Sequence, residues 1–341
     1  MSQGCCCGGG GCCESGAADV PVVATSLTSR DVFGAWKARL GIGRMEYRVE
    51  PGLYAVGKPD ENAPVLVSAN YKLTFDTLRK NLGGVDCWLL ILDTKGINVW
   101  CAAGKGTFGT CELAQRIEAV GLSDVVAHRK LILPQLGASG VNAPEVERRT
   151  GFTIAYGPVR ANDIKAYLAA GCKASREMRA VRFTLRDRLV LTPIELITAI
   201  KTMFPVFGVL FLLNLICARP FGGRDAIAYA GAVFAGTVLT PALLPMIPGP
   251  AFSWKGWLLG LIWTAAAVWQ SGWFTQAQWP LAAGYLLLLP SVSAYIAMNF
   301  TGCSTYTSPS GVLKEMKKAL PLIVGATIIG AALVLVHKLF G

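Results

Sequence analysis

Residues 87–105 read Cys87-Trp88-Leu89-Leu90-Ile91-Leu92-Asp93-Thr94-Lys95-Gly96-Ile97-Asn98-Val99-Trp100-Cys101-Ala102-Ala103-Gly104-Lys105. The apolar run that opens this stretch reads as a buried strand. Thr94-Lys95-Gly96 reads as a turn. The small residues after Cys101 favour a helix beginning there, which sets a lone cysteine at the head of a helix just past a strand end. Free N–H groups and the dipole at a helix N-terminus favour an anion, so the position suits a thiolate. Crevices outside the carboxyl ends of strands are where α/β folds bind ligands.

Outward from this stretch the pattern alternates. Strands are expected at 64–68, 88–93, 131–134 and 151–156. Helices are expected at 75–82 and 108–120, and from an Asn162 or Asp163 cap through 170. Strands alternating with helices predict a mostly parallel, doubly wound, Rossmann-like α/β sheet. The order of its strands is not legible from the pattern.

Hydrophobic residues make up 53% of the 341-residue chain and charged ones 16%, with a mean hydropathy of +0.46. That is too apolar for an ordinary soluble protein. The acids lie almost all before residue 190, and long uncharged runs dominate the rest. Five runs suggest transmembrane helices, at 199–218, 226–247, 257–273, 281–300 and 320–337. The third is the shortest and is flanked by tryptophans suited to the interface. Thr192-Pro193-Ile194-Glu195 supplies a helix start. The expected domains are a flexible Cys/Gly-rich leader at 1–18, a soluble domain at 19–190 and an all-α five-helix membrane domain at 191–341.

No cleavable signal sequence is read ahead of the soluble half. Arg176, Arg179, Arg182, Arg186 and Arg188 precede the first span, and Lys314, Lys317 and Lys318 lie between the fourth and fifth. With five spans both sets share one side, so the soluble domain is expected in the cytoplasm, anchored in the inner membrane. Arg219 and Arg224 fall on the other side. The net charge of +11 then reflects topology and contact with anionic lipid, with no nucleic acid required. A reducing compartment argues against a disulfide framework, leaving Cys87, Cys172, Cys217 and Cys303 as small buried hydrophobes and Cys111 as a packing residue.

Several chemistries were weighed for Cys101. Nucleophilic catalysis wants a nearby histidine, and the sequence offers only His128 and His337. Zinc or iron–sulfur binding wants further cysteines at ligand spacing, and Cys87 and Cys111 are too distant. Gly104-Lys105-Gly106-Thr107 lacks the glycine that a phosphate loop needs five residues before Gly104. A core cysteine beside an interior tryptophan stays open. So does a single thiolate offered to a bound metal complex that brings its own equatorial ligands, as a corrinoid does.

Residues 98–105 resemble the cap-helix motif of the HgcA-type corrinoid proteins of microbial mercury methylation. The resemblance continues through Pro51-Gly52-Leu53-Tyr54-Ala55-Val56-Gly57, Ser68-Ala69-Asn70-Tyr71-Lys72-Leu73 and 93–110. It resumes in His128-Arg129-Lys130-Leu131-Ile132-Leu133-Pro134-Gln135 and Tyr156-Gly157-Pro158-Val159-Arg160. It covers about residues 45–175, and the five-span tail matches in layout. The soluble part is similar, more distantly, to the corrinoid subunit of the acetyl-CoA pathway's iron–sulfur methyl carrier. The resemblance implies a cobalamin or related corrinoid with Cys101 as the lower axial ligand of cobalt. The DxHxxG pattern that supplies the usual histidine ligand is absent. A thiolate ligand is expected to help a methyl group leave the opposite face for Hg(II), giving methylmercury.

Asn98, Val99, Trp100, Ala102, Ala103, Gly104 and Lys105 are then candidates for the face under the corrin, with Thr107 a weaker one. Asn70, Thr74 and Arg160 are candidates for the crevice, with structural hydrogen bonding as their alternative role. The resemblance further implies methyl supply from a methylated folate and reduction by a ferredoxin-like partner with two [4Fe–4S] clusters. Cys5, Cys6, Cys7, Cys12 and Cys13 in the leader are candidates for capturing Hg(II), against an idle tail. The rival from another class is a metal or solute transporter. The second to fifth spans hold no ionisable residue away from their ends, which favours an anchor.

Overall fold

The computed structural model describes residues 20–217, 220–273, 275, 278–303, 306, 307 and 309–340. The leader 1–18, with Cys5, Cys6, Cys7, Cys12 and Cys13, lies outside the described residues. The chain divides after Val181 into two compact units, nine residues ahead of the expected border.

Unit 1 is built on a five-stranded sheet of β1 (Gly52–Val56), β2 (Val65–Ala69), β3 (Cys87–Leu92), β4 (Lys130–Leu133) and β5 (Thr153–Tyr156). Its order is β1-β3-β2-β4-β5. β2, β3, β4 and β5 run parallel. β1 was not foreseen. It lies antiparallel on the β3 edge, with Leu53 opposite Leu90, a non-local pairing that leaves no short-range signature.

The helices of unit 1 are α1 (Ser29–Arg39), α2 (Lys72–Lys80), α3 (Val99–Lys105), α4 (Thr110–Ala119), α5 (Ala143–Thr150) and α6 (Ile164–Ala169). They cover both faces of the sheet. Val65, Val67, Leu90 and Leu92 pack with Ala102, Phe108, Leu113 and Val146 from α3, α5 and their surroundings. Leu66, Leu89, Ile91 and Ile132 point the other way, onto Phe75, Ile164 and Tyr167. This period-two division of an all-apolar strand is what burial on both sides demands.

α1 and α5 were also unread. For α5 the signal was present: Asn142 caps it, Pro144 sits in its first turn, and Gly151 closes it at φ 75°. α1 opens with a Thr28/Asp31 capping box. It is tied to α2 through Asp31–Lys72 (2.7 Å) and Asp31–Arg79 (2.9 Å), and Arg79 also pairs with Asp76 within α2 (2.7 Å). Burial opposes ionisation of Asp31, but hydrogen bonds from Lys72 and Thr28 outweigh it and hold the carboxyl well below the usual range.

Unit 2 contains α7 (Thr192–Ile216), α8 (Gly223–Phe234), α9 (Phe252–Gln270), α10 (Trp279–Asn299) and α11 (Pro309–Phe340). A π-helical stretch, Ala235–Leu239, and a last turn, Thr240–Leu243, extend α8. Four segments among the described residues are long and apolar enough to cross a membrane: Leu185–Ile216, Gly223–Leu243, Trp279–Asn299 and Ser310–Phe340. Four of the five expected spans meet that measure, and the third, which falls on α9, does not. α9 has 19 residues, but Lys255 and four tryptophans dilute its hydropathy.

Small residues set the packing of these helices. A Cβ at Gly256 would lie 2.4 Å from Ala297 Cβ, and one at Gly260 2.6 Å from Ser293 Cβ, so α9 lies directly on α10. A Cβ at Gly330 would lie 2.7 Å from the Gly284 carbonyl, bringing α11 as close to α10. Trp263 Nε1 donates to the Ala228 carbonyl on α8 (2.9 Å). At one end, Tyr285 Oη donates to Asp225 (2.5 Å) and Lys338 pairs with the same carboxylate (3.1 Å). Trp273 stacks on Tyr285 there, with ring centroids 4.8 Å apart. The starts of α8 and α10 and the end of α11 therefore meet at one level.

Candidate functional site at the carboxyl edge of the sheet

The chain leaves β2 for β3 on one side and returns from β3 to β4 on the other. Loops at the carboxyl edge diverge at such a switch, and α3 begins there. The link from β3 to α3 is pinned through Asn70 at the end of β2. Asn70 Oδ1 accepts from Thr94 N (3.1 Å), Thr94 Oγ1 (2.9 Å) and Gly96 N (3.1 Å), and Asn70 Nδ2 donates to Asp93 (3.2 Å). Thr94 Oγ1 also donates to the Ile97 carbonyl (2.7 Å). Glu112 on α4 accepts from Asp93 N (2.8 Å). Burial raises the Asp93 pKa, but hydrogen bonds from Lys95 and Asn70 prevail and lower it. Lys95 (φ 59°) and Gly96 (φ 72°) turn left-handed in succession, which swings the chain into α3.

Asn98 is the N-cap of α3, and its Oδ1 accepts from Cys101 N (2.9 Å). The short helix thus starts two residues before the expected position, at Val99, which puts Cys101 in its first turn. Its faces are divided sharply. Val99, Ala102 and Ala103 are buried against the sheet, whereas Cys101 is exposed and Trp100 about a third exposed. Gly104 and Lys105 share the outer face, and a Cβ built on Gly104 meets nothing within 4 Å. Gly106, at φ 79°, ends the helix.

Of the residues expected under a ligand, the structure brings Trp100, Cys101, Gly104 and Lys105 together on the open side. Val99, Ala102 and Ala103 do not share that side, because a seven-residue helix lying on a sheet must bury one stripe. Asn98 serves as cap, and Thr107 closes the far end by donating from its N–H to the Ala102 carbonyl (3.0 Å). Asn70 is a structural hydrogen-bonding residue. His128 sits just before β4, at the opposite edge from Cys101. Its Nε2 lies 2.9 Å from the Ala63 carbonyl, and its Nδ1 accepts from Lys130 N (3.2 Å).

Two supports escaped sequence reading. Gly140 lets the loop after β4 touch α3: a Cβ there would lie 2.9 Å from Ala103 Cα and 2.2 Å from the Phe108 carbonyl. Glu112 binds α4 to the strand end. The paired glycines Gly137 and Gly140 were the available signal. Among the described residues, no group of three or more His, Cys, Asp and Glu side chains gathers as a metal site.

The two cysteines of this stretch sit in different environments. Cys87, inside β3, has its thiol pushed up to about 12 by burial and by Asp86. Cys101 faces outward on α3. The arrangement can present one soft sulfur donor, on an open helix face, to a flat ligand seated above the sheet edge.

Unit 1 is thus an α/β domain with a cysteine-bearing helix at the carboxyl edge of its parallel sheet. Residues 42–168 match the family model described as CO dehydrogenase/acetyl-CoA synthase delta subunit. The same segment is 38% identical over 127 residues to the acetyl-CoA decarbonylase/synthase complex subunit gamma of Methanocaldococcus jannaschii, covering 37% of this chain and 26% of the relative. The gamma subunit of Methanopyrus kandleri is 36% identical over 127 residues, covering 37% of this chain and 27% of that protein. Archaeoglobus fulgidus supplies a third gamma subunit, 35% identical over the same length and with the same coverage. The chain spans about a quarter of the length of these relatives, and the likeness ends before unit 2 begins. These are acetyl-CoA pathway proteins, the more distant of the two resemblances found in the sequence.

Proposed function

We propose that unit 1 holds a corrinoid through Cys101 and passes a methyl group to Hg(II). The observation that carries this reading is the exposed Cys101 on an α3 face that is open at Gly104. The residues fit such a group: a soft donor stands free, a glycine beside it leaves room for a broad ring, and small residues hold the helix close to the sheet. The printed names of the relatives place them in acetyl-CoA decarbonylase/synthase complexes, which supports a methyl-carrying role for the shared segment. A bound corrinoid supplies the transferable methyl group.

Cys101 would hold the corrinoid cobalt, and its sulfur would set the ligand strength on the protein side. The end of so short a helix contributes little, because the Cys101 N–H is already donated to Asn98. Ligation therefore depends on position more than on the helix end. Trp100 and Lys105 flank the thiol, Asn98 and Gly106 fix the helix ends, and the Asn70–Thr94 bonds hold the loop that aims it. Hg(II) arrives as substrate, with the leader cysteines as its proposed captors. A ferredoxin-like reductant and a folate methyl donor complete the proposed set of partners.

Unit 2 is proposed as a five-crossing anchor in the inner membrane. Asp225 and Tyr285 set the starts of α8 and α10 at one level, so the chain between them must return across the layer, and α9 is the helix available. With α9 counted, the basic clusters before α7 and at Lys314, Lys317 and Lys318 share one side, as cytoplasmic segments do.

The test is anaerobic loading of the full chain with cobalamin, followed by optical and EPR spectra of wild type and Cys101→Ala. A changed cobalt spectrum and loss of methylmercury formation are expected from the variant. Identical spectra overturn the ligand assignment. Methyl transfer to other acceptors, with none to Hg(II), overturns the mercury assignment alone.

A further inference from the structure

Among the described residues, unit 1 leaves nine large hydrophobic side chains exposed, and seven of them fall between residues 22 and 45. The centre of this cluster is α1, whose amphipathicity is inverted. Asp31, Gly34, Ala35 and Ala38 face the unit, and Ala38 is buried. Gly34 sits so close to Tyr47 that a Cβ would lie 2.6 Å from its Oη. The bulky residues face out instead: Val32 is 47% exposed, Phe33 65% and Trp36 62%. Ile42 and Met45, in the turn that follows, are 55% and 60% exposed. A patch of this kind marks an interaction surface.

The helix is not loosely held. Its Asp31 is consumed by Lys72 and Arg79, so the outward face is fixed relative to the sheet. With Asp31 engaged, Arg30, Lys37, Arg39, Arg44 and Arg48 outnumber the acids Glu46 and Glu50 between residues 30 and 50. Lys37 lies over the Phe33 ring, 5.7 Å from its centroid, so cation and aromatic share one surface. Tryptophan and phenylalanine beside basic residues are the composition of a helix lying in a headgroup layer. The same chain carries apolar helices long enough to cross a membrane, which keeps a bilayer within reach of unit 1.

We infer that the outward face of α1, with Ile42 and Met45, seats on an anionic phospholipid surface. This rests on the membrane reading of unit 2. The seating would hold the soluble unit against the bilayer at a second point and fix which way its ligand edge faces.

The full chain is reconstituted in vesicles of phosphatidylcholine with a minority of phosphatidylglycerol. A photoreactive benzophenone amino acid replaces Phe33, Trp36, Glu118 or Leu212, and adducts are identified by mass. Glu118 is exposed on α4, and Leu212, on α7, is 57% exposed. Lipid adducts are expected at 33, 36 and 212, and about tenfold fewer at 118. Removing phosphatidylglycerol is expected to cut adducts at 33 and 36 about threefold while leaving 212 unchanged. Adducts at 33 and 36 to protein, or none there while 212 reacts with lipid, overturn the inference and leave the membrane reading standing. Absence of lipid adducts at 212 overturns both.

Discussion

The two units use the same apolar side chains in opposite ways. In unit 1, Leu89, Leu90, Ile91 and Leu92 are wholly buried, and the helices around them turn polar faces outward. In unit 2 the large residues look out, as Leu215 at 68% and Ile216 at 79% exposed show. The closest helix contacts there are made at Gly256, Gly260, Ser293 and Ala297, beside a buried cluster that includes Val268, Leu281, Tyr285 and Leu289. Burial of large groups is driven by water; on the proposed membrane reading of unit 2, a lipid surround removes that drive between helices and leaves close approach to hold them together. α1 is the place in unit 1 that follows the rule of unit 2.

The largest effect that tests this contrast is a leucine truncation made once in each unit. Leu90→Ala is expected to destabilise unit 1 by about 2–5 kcal/mol, and Leu212→Ala to change unit 2 by less than about 0.5 kcal/mol. Denaturant midpoints of the full chain in detergent measure both, and equal costs would break the contrast. Next comes Asp31→Asn, expected to cost about 1–3 kcal/mol because Lys72 and the buried Arg79 each lose one of two carboxylate partners, Asp76 alone remaining. The folded Asp31 carboxyl ionises more readily than its unfolded form. Its contribution is therefore complete above pH ~4 and is lost as pH falls below it, so wild type and variant should converge in acid.

Glycines sharpen the same comparison. Gly260→Val should cost unit 2 about 1–3 kcal/mol by driving α9 from α10, read as a lower melting temperature in detergent. Gly104→Ala has open space before it and should stabilise α3 by about 0.5–1 kcal/mol. Weaker cobalamin binding by the same variant, in a spectral titration, would place the ring over Gly104. Unchanged binding would move it elsewhere.

Much of unit 1 was legible because its parallel strands carry uninterrupted apolar runs. The strand from Cys87, the turn after it and the helix bearing Cys101 all lie within a residue or two of expectation. The hidden parts each have a physical cause. β1 pairs with β3 across more than thirty residues of chain, and local pattern cannot report such pairing. α1 turns its bulky residues outward, so the usual inward stripe never forms. α9 is rich in tryptophan, which blurs the line between a span and an interfacial segment. At the site, residue type pointed to the sulfur, but only the burial of Val99, Ala102 and Ala103 separates the residues that support the helix from those on its open face.

The Asp225–Lys338 pair joins residues 113 positions apart. During synthesis the carboxylate leaves the ribosome long before its cation does. Until then, among the described residues, the carboxylate can draw only on the Gly222 N–H of its own helix start and, later, on the Tyr285 hydroxyl, so its neutralisation waits for translation to pass residue 338.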